Sequence, residues 1–218
     1  MVLFCLGSVA AGKTSLLQSL TAEKSAEEIE EDKFNILSKN PLPTVGVNHF
    51  TVDLAIVSNH PPPQKIKKTK KKEKKKKNGS KADNSNSIPV KELGGELAQN
   101  WPAYLSSSAD RIIYVIDSTN LSCLPEVCVH FVNCLETLSN SQSVKDPRIL
   151  IVYSKTDFIA TEEELKICLN RIRLILRLPY LIDWYRKIHF SETVFSAKTL
   201  HGTAEVKNWI NLNRPAEL

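Results

Sequence analysis

Hydrophobic positions along the chain fall into short dense runs separated by segments of helical spacing, an alternation that predicts an α/β fold with a largely parallel sheet. Val2 to Leu6 (VLFCL) reads as a buried strand, followed by a glycine-bounded loop and an amphipathic helix from about Lys13 to Lys24. In VNHFTVDLAIV, Val47 to Val57, the apolar residues Phe50, Val52, Leu54 and Ile56 alternate with polar ones, as in a half-exposed strand. Ile88 to Leu93 is its expected antiparallel partner. RIIYVID (Arg111 to Asp117) and RILIVY (Arg148 to Tyr153) read as central strands. Between them Leu124, Val127, Cys128, Phe131, Leu135 and Leu138 recur at helical spacing, and Pro125 is tolerated in the first turn. Thr161 and Glu164 form a capping box for a helix expected to reach about Leu178, where Pro179 interrupts or kinks it. A helical segment over Leu181 to Lys187, a last strand near Glu192 to Phe195 and a final helix from Ala204 to Leu212 complete the reading.

With 218 residues, 42% of them hydrophobic, the whole of 1–218 suits a single domain with length to spare for an insertion. The insertion is expected over about residues 59–87, a polar, lysine-rich stretch without aromatics. It cannot bury enough apolar surface to offset its ordering entropy, so it is expected to be disordered. The formal net charge of +5 is its property: KIKKTKKKEKKKK, Lys65 to Lys77, carries ten lysines against one glutamate, and the remaining chain is net −4. A globally basic nucleic-acid surface does not follow, and the tract has no aromatic on which a base could stack. Its simplest reading is a solvated hairpin tip. No run of 18 apolar residues marks a membrane-spanning helix. The first residues lack a basic n-region, Val2 stands where myristoylation needs glycine, and NRPAEL has no prenylation cysteine. The expectation is a cytoplasmic protein with no stable membrane anchor, in peripheral contact with membranes only through a partner or the lysine tract. The five cysteines form no C-x-x-C pair and the histidines show no metal-ligand spacing with them, so reduced, mostly buried thiols are expected.

Candidate chemistry begins at GSVAAGKT, which fits G-x-x-x-x-G-K-[ST] between an apolar strand and a helix. In such a loop, Gly7, Ser8, Val9, Ala10, Ala11 and Gly12 turn backbone N–H groups toward phosphate oxygens. Lys13 reaches the β- and γ-phosphates and the Thr14 hydroxyl ligates Mg²⁺. The motif alone does not separate guanine from adenine chemistry. SKTD, Ser154 to Asp157, follows a strand directly, and a carboxylate there can accept from both N1–H and the exocyclic amine of guanine, which adenine cannot satisfy. Asp157 is that carboxylate, with Lys155 packing over the base. After the last predicted strand, Ser196, Ala197 and Lys198 form SAK, where the backbone N–H of Ala197 can reach guanine O6.

The order P-loop, PTVGVN (Pro43 to Asn48), ELGGE, SKTD, SAK resembles the Arf-like small GTPases. AAGKT, the double glycine of ELGG and the following Trp101 and Tyr104 also fit. The resemblance spans nearly the whole chain except the lysine insertion and part of the region after Thr161. It implies an α/β P-loop small GTPase fold, with a six-stranded, mostly parallel sheet flanked by helices, binding GTP and GDP with Mg²⁺. It further implies that Thr44 closes on Mg²⁺ and the γ-phosphate, and that Gly95 gives its N–H to the γ-phosphate. Protein effectors and an activating protein in membrane or ciliary traffic are the partners it implies.

Four positions depart from that family. Glu92 replaces the aspartate that holds a Mg²⁺-bound water. Glu96 occupies the place of the water-orienting catalytic glutamine, and an ionised glutamate offers only acceptors beside an anionic phosphate. Val9 is apolar and branched where an arginine finger would enter. Ser154 replaces the asparagine that ties the base loop to the P-loop, which predicts faster nucleotide loss. The expectation is a nucleotide-binding switch with slow intrinsic hydrolysis. A pseudo-GTPase scaffold without hydrolysis is the alternative, and a P-loop ATPase or nucleotide kinase is disfavoured by SKTD with SAK.

Overall fold

The computed structural model describes residues 2–21, 43–54, 87–106 and 109–213. Six strands form one sheet: β1 (Val2–Leu6), β2 (Val47–Asp53), β3 (Ser87–Leu93), β4 (Ala109–Asp117), β5 (Arg148–Ser154) and β6 (His189–Val194). Their order across the sheet is β2-β3-β1-β4-β5-β6, and every neighbouring pair is parallel except β2 with β3. The helices are α1 (Lys13–Thr21), α2 (Trp101–Leu105), α3 (Leu124–Asn140), α4 (Glu162–Ile175), α5 (Leu178–Trp184) and α6 (Thr203–Leu212). This is the six-stranded, mostly parallel, helix-flanked architecture expected.

The central strands read as continuous apolar runs because both of their faces are covered, and successive side chains go to opposite sides. Phe4, Leu6, Ile112, Tyr114, Ile116, Ile149 and Ile151 meet one helical layer, with Trp101 and Leu105 of α2, Phe131 and Leu135 of α3 and Ile172 of α4. Leu3, Cys5, Ile113, Val115, Leu150 and Val152 meet the other, built from Leu16, Leu17 and Leu20 of α1 with Val206 and Ile210 of α6. Two cores therefore clamp one sheet. The loops after β1, β3, β4, β5 and β6 leave its carboxyl edge, where ligands bind in open α/β sheets. At the opposite edge Arg111 fixes the frame, donating from Nε to the Asn213 carbonyl at 3.0 Å. No helix among the described residues is long and apolar enough to cross a membrane.

Several boundaries differ from the sequence reading, among them the last strand, which runs His189–Val194 rather than near Glu192 to Phe195, and α5, which runs Leu178–Trp184 rather than Leu181 to Lys187. Ser87 is the first residue of β3, paired with Asp53, rather than the last of the insertion, because the antiparallel ladder extends one step beyond Ile88. The remainder of the insertion, the end of the first predicted helix beyond Thr21 and the end of the first β-hairpin strand beyond Leu54 lie outside the described residues. The capped helix has its Thr161–Glu164 box but stops at Ile175. Its break is Arg177, in the left-handed conformation at φ 51°, and Pro179 sits harmlessly in the first turn of α5. Pro179 therefore starts a helix rather than interrupting one.

Phe131 is fully buried and packs on Tyr114 with ring centroids 4.7 Å apart. Phe131→Ala is expected to lower unfolding free energy by about 3–5 kcal/mol in chemical denaturation. A loss below about 1 kcal/mol would contradict its place in the core.

Candidate functional site

The turn between β1 and α1 holds its shape through backbone geometry. Gly7 (φ 145°) has its Cα so close to the Val115 carbonyl that an added Cβ would lie 2.3 Å from that oxygen. Lys13 opens α1 and is buried, its Nζ donating to the carbonyls of Gly7 at 2.9 Å and Ser8 at 2.8 Å. The ammonium thus folds back over the loop. Burial pulls it below the ordinary lysine range, with Cys5 and Glu92 acting in the opposite direction.

Three oxygen-bearing side chains from three segments converge beside that loop. Glu92, on β3, is fully buried, and its Oε1 accepts from Thr14 Oγ1 at 2.6 Å and from Thr44 Oγ1 at 3.1 Å. The two threonine hydroxyls lie 3.2 Å apart. Asn48 Nδ2 stands 3.5 Å from both Thr44 Oγ1 and Glu92 Oε2. The extra methylene of Glu92 lets its carboxylate reach both hydroxyls directly. An oxygen-only set of two hydroxyls and a carboxylate fits a hard divalent cation of the Mg²⁺ type. Glu92, Thr14 and Thr44 would hold it.

The segment after β3 is pressed onto the loop. A Cβ on Gly95 would lie 2.3 Å from the Val9 nitrogen, and one on Gly94 would lie 2.2 Å from the Thr44 carbonyl, so neither position has room for a side chain. Gly94 N–H donates to the Gly46 carbonyl at 2.9 Å, and the buried Trp101 indole donates to the Gly94 carbonyl at 3.2 Å. The residues around Thr44 and Gly95 are therefore one hydrogen-bonded unit hung from a core tryptophan. Together with the loop they enclose a cavity of about 250 Å³, lined by Val9, Gly12, Lys13, Thr14, Thr44, Glu92, Gly95 and Lys155. Glu96 is exposed and outside this lining.

The second half of the site lies at the ends of β5 and β6. Ser154 is buried and its hydroxyl contacts the Ala11 carbonyl at 2.6 Å and the Ile116 carbonyl at 3.0 Å. The tie between the loops after β5 and β1, expected to be weakened by the loss of asparagine, is thus made by the shorter side chain. Lys155 is left-handed at φ 60° and its ammonium is 2.6 Å from Asp117 Oδ2. Asp157 Oδ1 accepts from the buried Ser196 hydroxyl at 2.8 Å, which fixes the carboxylate's orientation across two strand ends. Ala197 is half-buried against the α1/α6 core, while Lys198 is exposed.

Sequence reasoning missed Asp117, Asn48 and the indole bond of Trp101. Asp117 carried a usable signal, a carboxylate at the carboxyl end of a central strand. Burial pushes its carboxyl up, but hydrogen bonds from Lys155 and Thr119 outweigh that and hold it below the ordinary carboxylate range.

No family model matches the chain, and no curated protein matches it by sequence. Solved structures do. The chain is similar to the Arl6 BBS3 small GTPase from Trypanosoma brucei with bound nucleotide analogue GppNp, at 16% identity and a TM-score of 0.63, over 97% of this chain and 95% of that one. It is similar to the mammalian SRP receptor at 15% identity and a TM-score of 0.60, over 96% and 98%. A bacterial selenocysteine-specific elongation factor, EF-Sec, matches at 17% identity and a TM-score of 0.55, over 97% of this chain and 28% of that chain. At these identities the likeness is one of fold, and the fold is that of the small GTPases.

Two outcomes test this geometry. Ser154→Ala removes the hydroxyl that joins the two halves and leaves buried carbonyls short of a donor, so a loss of about 1–3 kcal/mol in thermal or denaturant unfolding is expected. An unchanged midpoint would mean the tie is idle. Because the Asp117 carboxyl is depressed in the folded state, its stabilising effect is present above the unfolded value, about 3.9, and lost as pH falls through the lower folded value. Asp117→Asn should therefore be less stable than wild type at neutral pH, the gap closing only below about pH 4. A gap independent of pH would refute the ion pair as its cause.

Proposed function

We propose that this chain is a GTP/GDP-binding molecular switch of the Arf-like type, with Mg²⁺ at Thr14 and Thr44, and at Glu92 through a bound water, and slow intrinsic hydrolysis. The observation that carries the guanine reading is the Asp157–Ser196 bond of 2.8 Å at the ends of β5 and β6, beside the phosphate loop. A carboxylate held in that orientation presents two acceptors, which match N1–H and the exocyclic amine of guanine. Adenine offers N1 as an acceptor instead, leaving the carboxylate unpaired, and such mismatches are strongly rejected. The Lys155 stem covers one face of the base. Its ammonium is positioned by Asp117.

At the phosphate end, the loop's N–H groups, Gly7 to Thr14, hold the chain of phosphates, and Lys13 exchanges its two carbonyl contacts for phosphate oxygens. Mg²⁺, when bound, neutralises charge on the β- and γ-phosphates. Thr44 and the Gly95 N–H read the presence of the γ-phosphate, and the Gly94–Gly46 bond makes the two segments respond together. Loss of that phosphate frees both, which is how a partner protein would distinguish the two states. Effectors and an activating protein in membrane or ciliary traffic, and a cytoplasmic location, belong to this reading through the family resemblance. Within that family, the glutamate of ELGG and RLP (Arg177 to Pro179) resemble ADP-ribosylation-factor-like protein 16.

Slow hydrolysis follows from Glu96. A glutamine there would donate to the transition-state oxygens while accepting from the attacking water, and a carboxylate cannot donate. The exposure of Glu96 outside the cavity lining also favours a second reading, a nucleotide-binding scaffold with no hydrolysis.

Single-turnover hydrolysis of radiolabelled GTP decides between them. The switch reading expects a wild-type rate below about 10⁻⁴ s⁻¹, raised roughly tenfold or more by Glu96→Gln. Wild-type hydrolysis at or above that pace sinks the slow-switch claim. Absence of turnover in both proteins, with GTP retained, supports the scaffold.

A further inference from the structure

One surface outside the nucleotide site combines exposed aromatic rings with cations that make no ion pair among the described residues. On α5, Tyr180 and Trp184 are 58% and 66% exposed and stack on each other, with ring centroids 5.8 Å apart and 23° between planes. They are four residues apart, so they share one face of the helix, while Leu178 and Leu181 face the core. Leu174, in the last turn of α4 just before, is 72% exposed. Aromatic side chains are enriched at interaction surfaces, and here two adjacent, stacked rings are held in water.

The charge around them is one-sided. From Arg171 to Lys187 there are five cations and one carboxylate, Asp183, in a chain that is net acidic outside its lysine tract. Arg173 is engaged by Glu192 and Arg186 by Asp183. Arg171, Arg177 and Lys187 make no ion pair among the described residues. Arg177, the left-handed residue before α5, and Lys187, in the turn after it, flank the ring pair in sequence at three residues to either side.

We propose that this face, Arg177, Tyr180, Trp184 and Lys187 with Leu174, docks on an anionic lipid surface. Both rings are largely exposed on α5. They line neither the phosphate cavity nor the apolar groove between α3 and α4. Exposed rings that line neither cavity lack the concave pocket that seats a peptide side chain, whereas a fluid interface receives them without one. Tryptophan and tyrosine suit the headgroup level, with an apolar body and a polar tip, and arginine and lysine pair with anionic headgroups while their stems cover apolar surface. Cations near such a leaflet contribute on the order of 1 kcal/mol each, and insertion of the two rings adds an apolar component that salt does not screen. The docking needs no particular nucleotide and stands apart from the function proposed above.

The test is co-sedimentation of the full chain with phosphatidylcholine vesicles, with and without phosphatidylserine. Four proteins are compared: wild type, Tyr180→Ser/Trp184→Ser, Trp184→Phe, and a variant with the lysines of 65–77 replaced by glutamine. Both substituted rings are exposed, and an unchanged melting curve verifies that the double variant folds. The expected result is binding of wild type to phosphatidylserine vesicles only, weakened roughly tenfold or more in the double variant. The glutamine variant should retain the ring-dependent part, seen as a blue shift of tryptophan emission that Trp184→Phe removes. Binding abolished in the glutamine variant and unchanged in the double variant would overturn the proposal. So would binding to soluble polyglutamate with none to vesicles, or no vesicle binding at all.

Discussion

A single buried carboxylate organises the site. Glu92 takes hydroxyl hydrogen bonds from Thr14 and Thr44, so the helix start, the segment before β2 and the strand β3 meet at one group. Burying a carboxylate is costly unless its lone pairs are satisfied, and here the donors come from the elements the fold must bring together. The constraint runs outward from there. Gly94 and Gly95 must be glycine because the chain leaving Glu92 passes within contact distance of Thr44 and of the phosphate loop. Trp101 then secures that passage to the core through its indole N–H. An acid one methylene shorter would require an intermediary to reach the same hydroxyls.

The second organising contact is between the two halves. Ser154 reaches Ala11 across the sheet edge, and Ser196 reaches Asp157 across β5 and β6. These bonds align two loops with the turn between β1 and α1 although the three are far apart in sequence. The strands supply the spacing and the hydroxyls supply the register. The proposed function then depends on what the loops present: acceptors at Asp157, N–H groups and an ammonium at the turn after β1, and an oxygen cluster that fits a hard cation.

Much of this was legible in the sequence because it is local. GSVAAGKT, SKTD and SAK each sit at the end of an apolar run, and period-two and helical spacing gave the strand and helix order. What was not legible depends on distance across the fold. Ser154 looked like a lost tie because side-chain length alone does not reveal how near Ala11 lies. Asp117 went unassigned because nothing in RIIYVID states that its last residue faces Lys155. The helix break at Arg177 was assigned to Pro179, since left-handed backbone at a non-glycine residue leaves no compositional mark whereas proline does. The exposed pair Tyr180 and Trp184 likewise needed the helix phase fixed by α5 before it could be separated from core aromatics.

The central claim is that these loops form a guanine-nucleotide site. Its most direct test is displacement of a fluorescent GDP analogue from purified protein by GDP and by ADP, with Mg²⁺ present and then chelated. The account predicts that GDP displaces the probe at least about a hundredfold more effectively than ADP, and that chelation speeds its release. Equal displacement by ADP, or no binding of the probe at all, would contradict it.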